Sequence, residues 1–255
     1  MTLLHSIFLA LLQGLTEFLP VSSSGHLVLA QKLWNVPSNL FFDVVLHFGT
    51  LLAVLVVYRS TIARLLKRPF SNKLLGRLLV ASVPTFAIAL VVKLFVPEHV
   101  LVGLLPIGFA TTIVLIVLAE NFNKGTTGVE NCRWLAIVAT GIVQGIAVFP
   151  GLSRSGSTIC TMRLFGLDKG QSADFSFLLS IPVILASVVV ESWEMATTGS
   201  GIVPWYCIVV GVVVSFASGF VALNLVKNSL AQKGWMAFAV YLVAPFALSA
   251  ITLFA

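Results

Sequence analysis

Only 9% of the 255 residues are Asp, Glu, Lys or Arg, against about 25% in typical soluble domains. A chain so short of charge cannot cover a water-soluble globule. Cysteine is scarce as well: Cys132, Cys160 and Cys207 stand alone. They show none of the spacings of zinc sites, redox pairs or disulfide frameworks, and they read as small apolar residues. The first twenty residues hold no Lys or Arg and no small-residue cleavage site behind an apolar core, so no removable signal peptide is expected. A net charge of +6 and a pI near 9.5 do not point to nucleic acid, because the basic residues sit in loops between apolar segments. The positive-inside bias of membrane proteins accounts for them, and no nucleic-acid partner is expected.

What the chain has in excess is hydrophobic length. Apolar residues make up 58% of it and the mean hydropathy is +1.06. Several runs approach the roughly 20 residues needed to cross a bilayer. Six spans are expected, approximately Val44 to Tyr58, Leu78 to Val96, Leu101 to Ala119, Phe175 to Val190, Ile202 to Val226 and Trp235 to Ala255. The fold class is therefore all-α, a polytopic integral membrane protein in contact with membrane lipids. The stretches 3–34 and 134–165 are split by Pro20 with Ser22 to Gly25 and by Pro150 with Ser153 to Ser157. Each is too short for two spans and reads as a re-entrant helical hairpin, whose irregular backbone belongs in the protein interior or against a wet cavity.

The chain is built twice. Gln13-Gly-Leu-Thr-Glu-Phe-Leu-Pro-Val-Ser-Ser-Ser-Gly25 returns 131 residues later as Gln144-Gly-Ile-Ala-Val-Phe-Pro-Gly-Leu-Ser-Arg-Ser-Gly156, with six of thirteen positions identical. The same offset pairs Lys32 with Arg163, Trp34 with Phe165 and Asp43 with Asp174. A single membrane domain, 1–255, thus divides into a first repeat, 1–125, and a second, 126–255, each a hairpin and three spans. The first inter-span loop holds Arg59, Arg64, Lys67, Arg68, Lys73 and Arg77 without an acid and is expected in the cytoplasm. The loop with Glu191 and Glu194 then falls outside, while Lys227, Lys233 and the loop from Glu120 to Arg133 fall inside. Both termini are placed outside. Three spans per repeat is an odd number, so the repeats are opposite in orientation, and in such inverted repeats broken elements converge on a site near the midplane.

Gln13 and Glu17 stand four apart and share a helix face. A carboxylate in an apolar hairpin must be paired, bind a cation or reach water, and is a functional candidate for that reason. Ser22-Ser23-Ser24-Gly25-His26 and Ser153-Arg154-Ser155-Gly156-Ser157-Thr158 each open a helix, where backbone amides favour anions. The simpler account of any one serine there is a helix cap. Arg154 adds a planar cationic fork suited to phosphate oxygens, its structural counterpart being an arginine neutralised by Glu17. His26 can serve as base, acid or nucleophile. Together these residues fit hydrolysis of a phosphate ester or anhydride, and the nucleophile is left open among Ser23, Ser22, His26 and water. His5, His47 and His99 lie outside the repeated loops and are expected to be structural or interfacial. Asp43 and Asp174 read as helix caps. The competing class is a transporter, because inverted repeats with broken helices also move lipid phosphates or small anions. Glu17 and His26 beside several hydroxyls favour catalysis.

These motifs resemble those of the bacterial undecaprenyl-pyrophosphate phosphatase family, also known as the bacitracin-resistance protein family. The similarity runs through Gln13-Gly-Leu-Thr-Glu17, Phe-Leu-Pro-Val-Ser-Ser-Ser-Gly-His26, and Pro150-Gly-Leu-Ser153-Arg154-Ser155-Gly-Ser-Thr158, and the duplicated organisation extends it over the whole chain. It implies a bacterial inner-membrane hydrolase that removes the terminal phosphate of a polyprenyl pyrophosphate at the junction of the two loops, regenerating the lipid carrier for cell-wall synthesis, and it suggests that substrate enters from the outer face. Carried over, Arg154 would bind pyrophosphate, with Ser153, Ser155, Thr158 and Ser22 in the phosphate cradle. His26 and Ser23 would supply the nucleophile or acid/base step, and Glu17 with Gln13 would hold a catalytic water or a divalent cation, Mg²⁺ or Ca²⁺. Gln13 and Leu152 depart from the commonest pattern, and Gln13 leaves one carboxylate rather than two for a metal. A homo-oligomer is compatible with the chain but not demanded by it.

Overall fold

The computed structural model describes residues 1–67, 69, 72–122, 125–199, 203–227 and 234–254. Arg68, Lys233, and the expected span ends Ile202 and Ala255, lie outside the described residues. Among the described residues twelve α-helices follow one another: α1 (Leu3–Glu17), α2 (Ser23–Leu33), α3 (Leu40–Val57), α4 (Arg59–Lys67), α5 (Lys73–Phe95), α6 (Glu98–Gly103), α7 (Leu105–Phe122), α8 (Trp134–Ile146), α9 (Arg154–Leu164), α10 (Lys169–Thr198), α11 (Trp205–Leu225) and α12 (Met236–Phe254). No strand is formed among the described residues. In a chain this apolar, helices satisfy every backbone group within the segment.

Among the described residues five helices, α3, α5, α7, α10 and α11, are long and apolar enough to cross a membrane, while α1, α8 and residues 236–252 of α12 are apolar but shorter. The chain is a multi-pass membrane protein. Pro84, Pro182 and Pro245 lie inside α5, α10 and α12, where neighbouring helices can accommodate the backbone groups that a proline releases.

Three local expectations change. The first basic loop contains a helix, α4, which tucks Leu65 inward and leaves Leu66 exposed. Glu191 and Glu194 stand on the last turns of α10 rather than in a loop, because Lys93 of α5 donates to both at 2.9 Å and carries the helix past its apolar stretch. Asp43 and Asp174 are not caps. Asn39 caps α3 by accepting from Phe42 N, and Asp168 caps α10 by accepting from Gln171 N. The two aspartates lie inside those helices and receive side-chain donors instead: Gln31 Nε2 reaches Asp43 at 2.8 Å, and the Tyr58 hydroxyl reaches Asp174 at 2.5 Å.

Matched helices make matched, crossed contacts. α1 packs along α11 and α8 along α5; α2 touches α12 and α9 lies against α7; α3 meets α11 and α10 meets α5. The polar clasps follow the same pattern. The Ser218 hydroxyl of α11 donates to the Ala10 carbonyl of α1 at 3.4 Å, and the Thr85 hydroxyl of α5 donates to the Gly141 carbonyl of α8 at 2.8 Å. Positions 10 and 141 share the 131-residue offset. Hydroxyl-to-carbonyl bonds between closely packed helices are a common adhesive where water is absent.

Candidate functional site

Two loops meet where α1 turns into α2 and α8 turns into α9. Each second helix starts on a serine cap: Ser22 Oγ accepts from Gly25 N and Ser153 Oγ from Gly156 N. The glycines are required by the contact between the loops. A Cβ on Gly25 would stand 2.9 Å from Gly151 Cα and 2.6 Å from Phe109 Cζ, and one on Gly156 would stand 3.0 Å from Pro20 Cβ. Position 20 thus meets 156 as position 151 meets 25, a reciprocal contact between repeat-related residues. The hydroxyls of Ser155 and Ser153 then donate to the Leu19 carbonyl at 3.0 and 3.5 Å. Thr112 of α7 fastens the second loop from behind, accepting from Ser153 N at 2.9 Å and donating to the Gly151 carbonyl at 3.1 Å.

Glu17 lies at this junction with its side chain 2% exposed. Arg154, at the start of α9, donates to Oε1. Ser23, the first residue of α2, donates its hydroxyl proton to Oε2 at 2.6 Å, and Gln13 Nε2 donates to the same oxygen at 2.8 Å. His47 of α3 brings Nε2 to 3.5 Å from Oε2. A buried carboxylate is tolerable only when paired and hydrogen-bonded in this way. The structure therefore gathers Gln13, Glu17, Ser23 and Arg154 into one connected group.

His26 faces elsewhere. Its Nδ1 lies 2.8 Å from the Ser22 carbonyl and its Nε2 lies 2.8 Å from the Tyr241 hydroxyl of α12, with the Phe109 ring edge-on at 5.8 Å. A ring nitrogen beside a carbonyl must carry the proton, which makes Nε2 of the neutral ring the acceptor and Tyr241 the donor. Both nitrogens are thus engaged, and Ser23 has Glu17, not His26, as its partner. The His26–Ser22 bond braces a residue at φ 65°, a region that non-glycine residues seldom occupy. Thr158 also turns away from the junction, sharing its hydroxyl with Ser176 at 2.6 Å and with the Arg154 carbonyl at 2.8 Å.

Among the described residues no cluster of three or more His, Cys, Asp or Glu side chains is placed to hold a metal. A smaller donor set is present. Gln13 Oε1 is buried without a hydrogen-bond partner, beside the Glu17 carboxylate, and hard cations take amide and carboxylate oxygens. Gln13 Oε1 and the Glu17 carboxylate are oxygen donors of the kind that a divalent ion takes.

His47 and Tyr241 were missed as site residues. His47 lies beyond the repeated loops, and the available signal is its place one turn after Asp43 in the otherwise apolar run of α3. Tyr241 is separated from His26 by 215 positions, and no local pattern announces it.

A family model described as "Bacitracin resistance protein BacA" matches residues 6–247. Among curated relatives, an undecaprenyl-diphosphatase of Carboxydothermus hydrogenoformans is 36% identical over 250 residues, covering 94% of each chain. One from Alkaliphilus metalliredigens is 36% identical over 261 residues, covering 94% of this chain and 95% of the relative. One from Syntrophotalea carbinolica is 38% identical over 254 residues with the same coverages.

Proposed function

Because the chain belongs to the bacitracin resistance protein BacA family, we propose that it is a membrane phosphatase that hydrolyses undecaprenyl diphosphate to undecaprenyl phosphate and inorganic phosphate. The observation that carries the mechanism is the Ser23–Glu17–Arg154 chain: a hydroxyl held 2.6 Å from a carboxylate oxygen whose twin oxygen faces a guanidinium. In a dry site such an arrangement does three things. It orients a nucleophile, offers it a base, and places a fixed cation where the phosphoryl charge develops.

Ser23 Oγ attacks the terminal phosphorus and passes its proton to Glu17, while the bond from that phosphorus to the bridging oxygen breaks. The departing polyprenyl phosphate takes the proton from Glu17. Water then attacks the phosphoserine and gives a proton to Glu17, which returns it to Ser23 Oγ as inorganic phosphate leaves. Arg154 exchanges part of its contact with Glu17 for the phosphate oxygens, and Ser153 and Ser155 hold the second loop against Leu19 so that the guanidinium keeps its place. His26 and Tyr241 brace the Ser22–Ser23 turn. Gln13 and Glu17 would hold a Mg²⁺ or Ca²⁺ ion, which when bound would screen the charge of the pyrophosphate oxygens. The two helical hairpins are re-entrant, the repeats are inverted, and the site opens to the outer face of the bacterial plasma membrane, where the spent carrier is released.

Phosphate release from undecaprenyl diphosphate by the purified protein tests the activity, and an acid quench with terminally labelled substrate tests the intermediate. Release by the parent with label on Ser23, both lost in Ser23→Ala, is the expected result. A parent that releases no phosphate removes the phosphatase assignment, and a Ser23→Ala variant that keeps the parent rate makes water the nucleophile.

A further inference from the structure

His47 belongs to α3, outside both signature loops, yet its ring is aimed at the centre of the site. Nδ1 lies 2.7 Å from the Asp43 carbonyl one turn earlier on the same helix, a separation that requires a proton on Nδ1. That bond fixes the ring and turns Nε2 toward Glu17 Oε2, 3.5 Å away. With Nδ1 holding one proton, Nε2 donates to Oε2 only in the imidazolium form of the ring.

The four groups around Glu17 are unequal. Ser23 and Gln13 make short bonds of 2.6 and 2.8 Å and are almost wholly enclosed. Arg154 and His47 keep 18% and 24% of their side chains exposed. The His47 contact is also the longest, at the outer limit of a hydrogen bond. Arg154 and His47 are thus the two partners of Glu17 that keep exposed side-chain surface with which a phosphate oxygen can be met. His47 keeps its Nδ1 bond to the Asp43 carbonyl, and its Nε2 contact, the longest of the four, is the donor most readily shared with a phosphate oxygen.

We propose that His47 is a substrate-contacting residue that donates from Nε2 to an oxygen of the terminal phosphate, as a second donor alongside Arg154. It rests on the phosphatase assignment and adds to it a residue from the first long helix. Two donors suit a group carrying several negative charges, since charge-assisted bonds to phosphate are about twice as strong as neutral ones. The role is donation alone, and a neutral amide of similar reach can perform much of it.

The test compares the parent with His47→Ala and His47→Gln, each checked for an unchanged melting temperature. His47→Ala is expected to raise KM for undecaprenyl diphosphate, and the inhibition constant of inorganic pyrophosphate, by roughly tenfold, as loss of one charge-assisted bond implies. The expected change in kcat is below about threefold, because the interaction is present in both ground and transition states. His47→Gln is expected to recover most of both affinities. A fall in kcat with KM and the inhibition constant unchanged would mean that His47 acts only by holding Glu17, and would overturn the proposal; so would unchanged constants in His47→Ala, or a His47→Gln variant as weak as alanine. Direct binding of inorganic pyrophosphate to parent and variants by calorimetry reads the contact without turnover. A parent that binds pyrophosphate through His47 but releases no phosphate would refute the phosphatase assignment and leave the contact standing.

Discussion

A carboxylate with 2% of its side chain exposed persists at Glu17 because Arg154, Ser23 and Gln13 donate to it and His47 faces it. Removing any one donor acts on both stability and chemistry, so each substitution is read in melting temperature as well as in rate. Arg154→Lys retains the cation but loses the planar fork; kcat is expected to fall about a hundredfold, the usual scale for a misaligned stabiliser of developing charge, with little change in melting temperature. Tyr241→Phe removes the donor to His26 Nε2 and keeps the ring. It is expected to lower stability by about 1 kcal/mol and to slow turnover severalfold by loosening the Ser22–Ser23 turn, as denaturation midpoints and steady-state rates would show. Gln13 supplies the unpartnered oxygen beside Glu17. Chelation with EDTA is therefore expected to reduce activity and added Mg²⁺ or Ca²⁺ to restore it, with Gln13→Ala needing roughly tenfold more cation, the scale of losing one oxygen ligand. Activity titrated against free cation decides this.

The two helix-turn-helix elements succeed as a pair. α2 and α9 are both 11 residues long and begin 131 positions apart, and the turn before each is capped by a serine whose matched glycine lets the other loop approach. Gly25→Ala would force a methyl to 2.9 Å from Gly151 Cα, a backbone atom that cannot swing away. Overpacking of this kind costs about 1–3 kcal/mol, and the loops would separate. The expected outcome is a lower melting temperature together with loss of activity, whereas Gly76→Ala, where an added Cβ meets nothing within 4 Å, leaves both unchanged. Phosphate release and thermal melts of the two variants check it.

Across the whole molecule, the crossed pairing of α1 with α11 and α8 with α5 ties each hairpin to the other repeat. The inverted arrangement proposed for the repeats places Glu194, whose side chain is 51% exposed, on the outer side and Lys67 on the inner. A membrane-impermeant thiol reagent is therefore expected to label Glu194→Cys in intact cells and Lys67→Cys only after permeabilisation; the reverse pattern would turn the site to the cytoplasm. Much of the molecule was legible in its residues. Apolar runs specify helices because a lipid core leaves the backbone no other way to satisfy itself, and the duplicated Ser/Gly loops stood out because polar turns are rare in such a chain. Glu17, Ser23 and Arg154 stand out in the sequence as polar residues of those loops, and the structure brings them into contact. Other features belonged to the tertiary structure. α4 and the long end of α10 depend on Leu65 finding a buried place and on Lys93 reaching across from α5. Asp43 and Asp174 are acceptors rather than caps because α3 and α10 begin earlier, at Asn39 and Asp168, and because Gln31 of α2 and Tyr58 at the end of α3 reach them. His26 turned to Tyr241, and His47 to Glu17, through contacts spanning 215 and 30 positions. Local pattern determines where a helix forms and which loops are polar, because those depend on near neighbours and on the solvent. Which side chains share a proton or a phosphate depends on how distant helices cross, and no window of sequence contains that crossing.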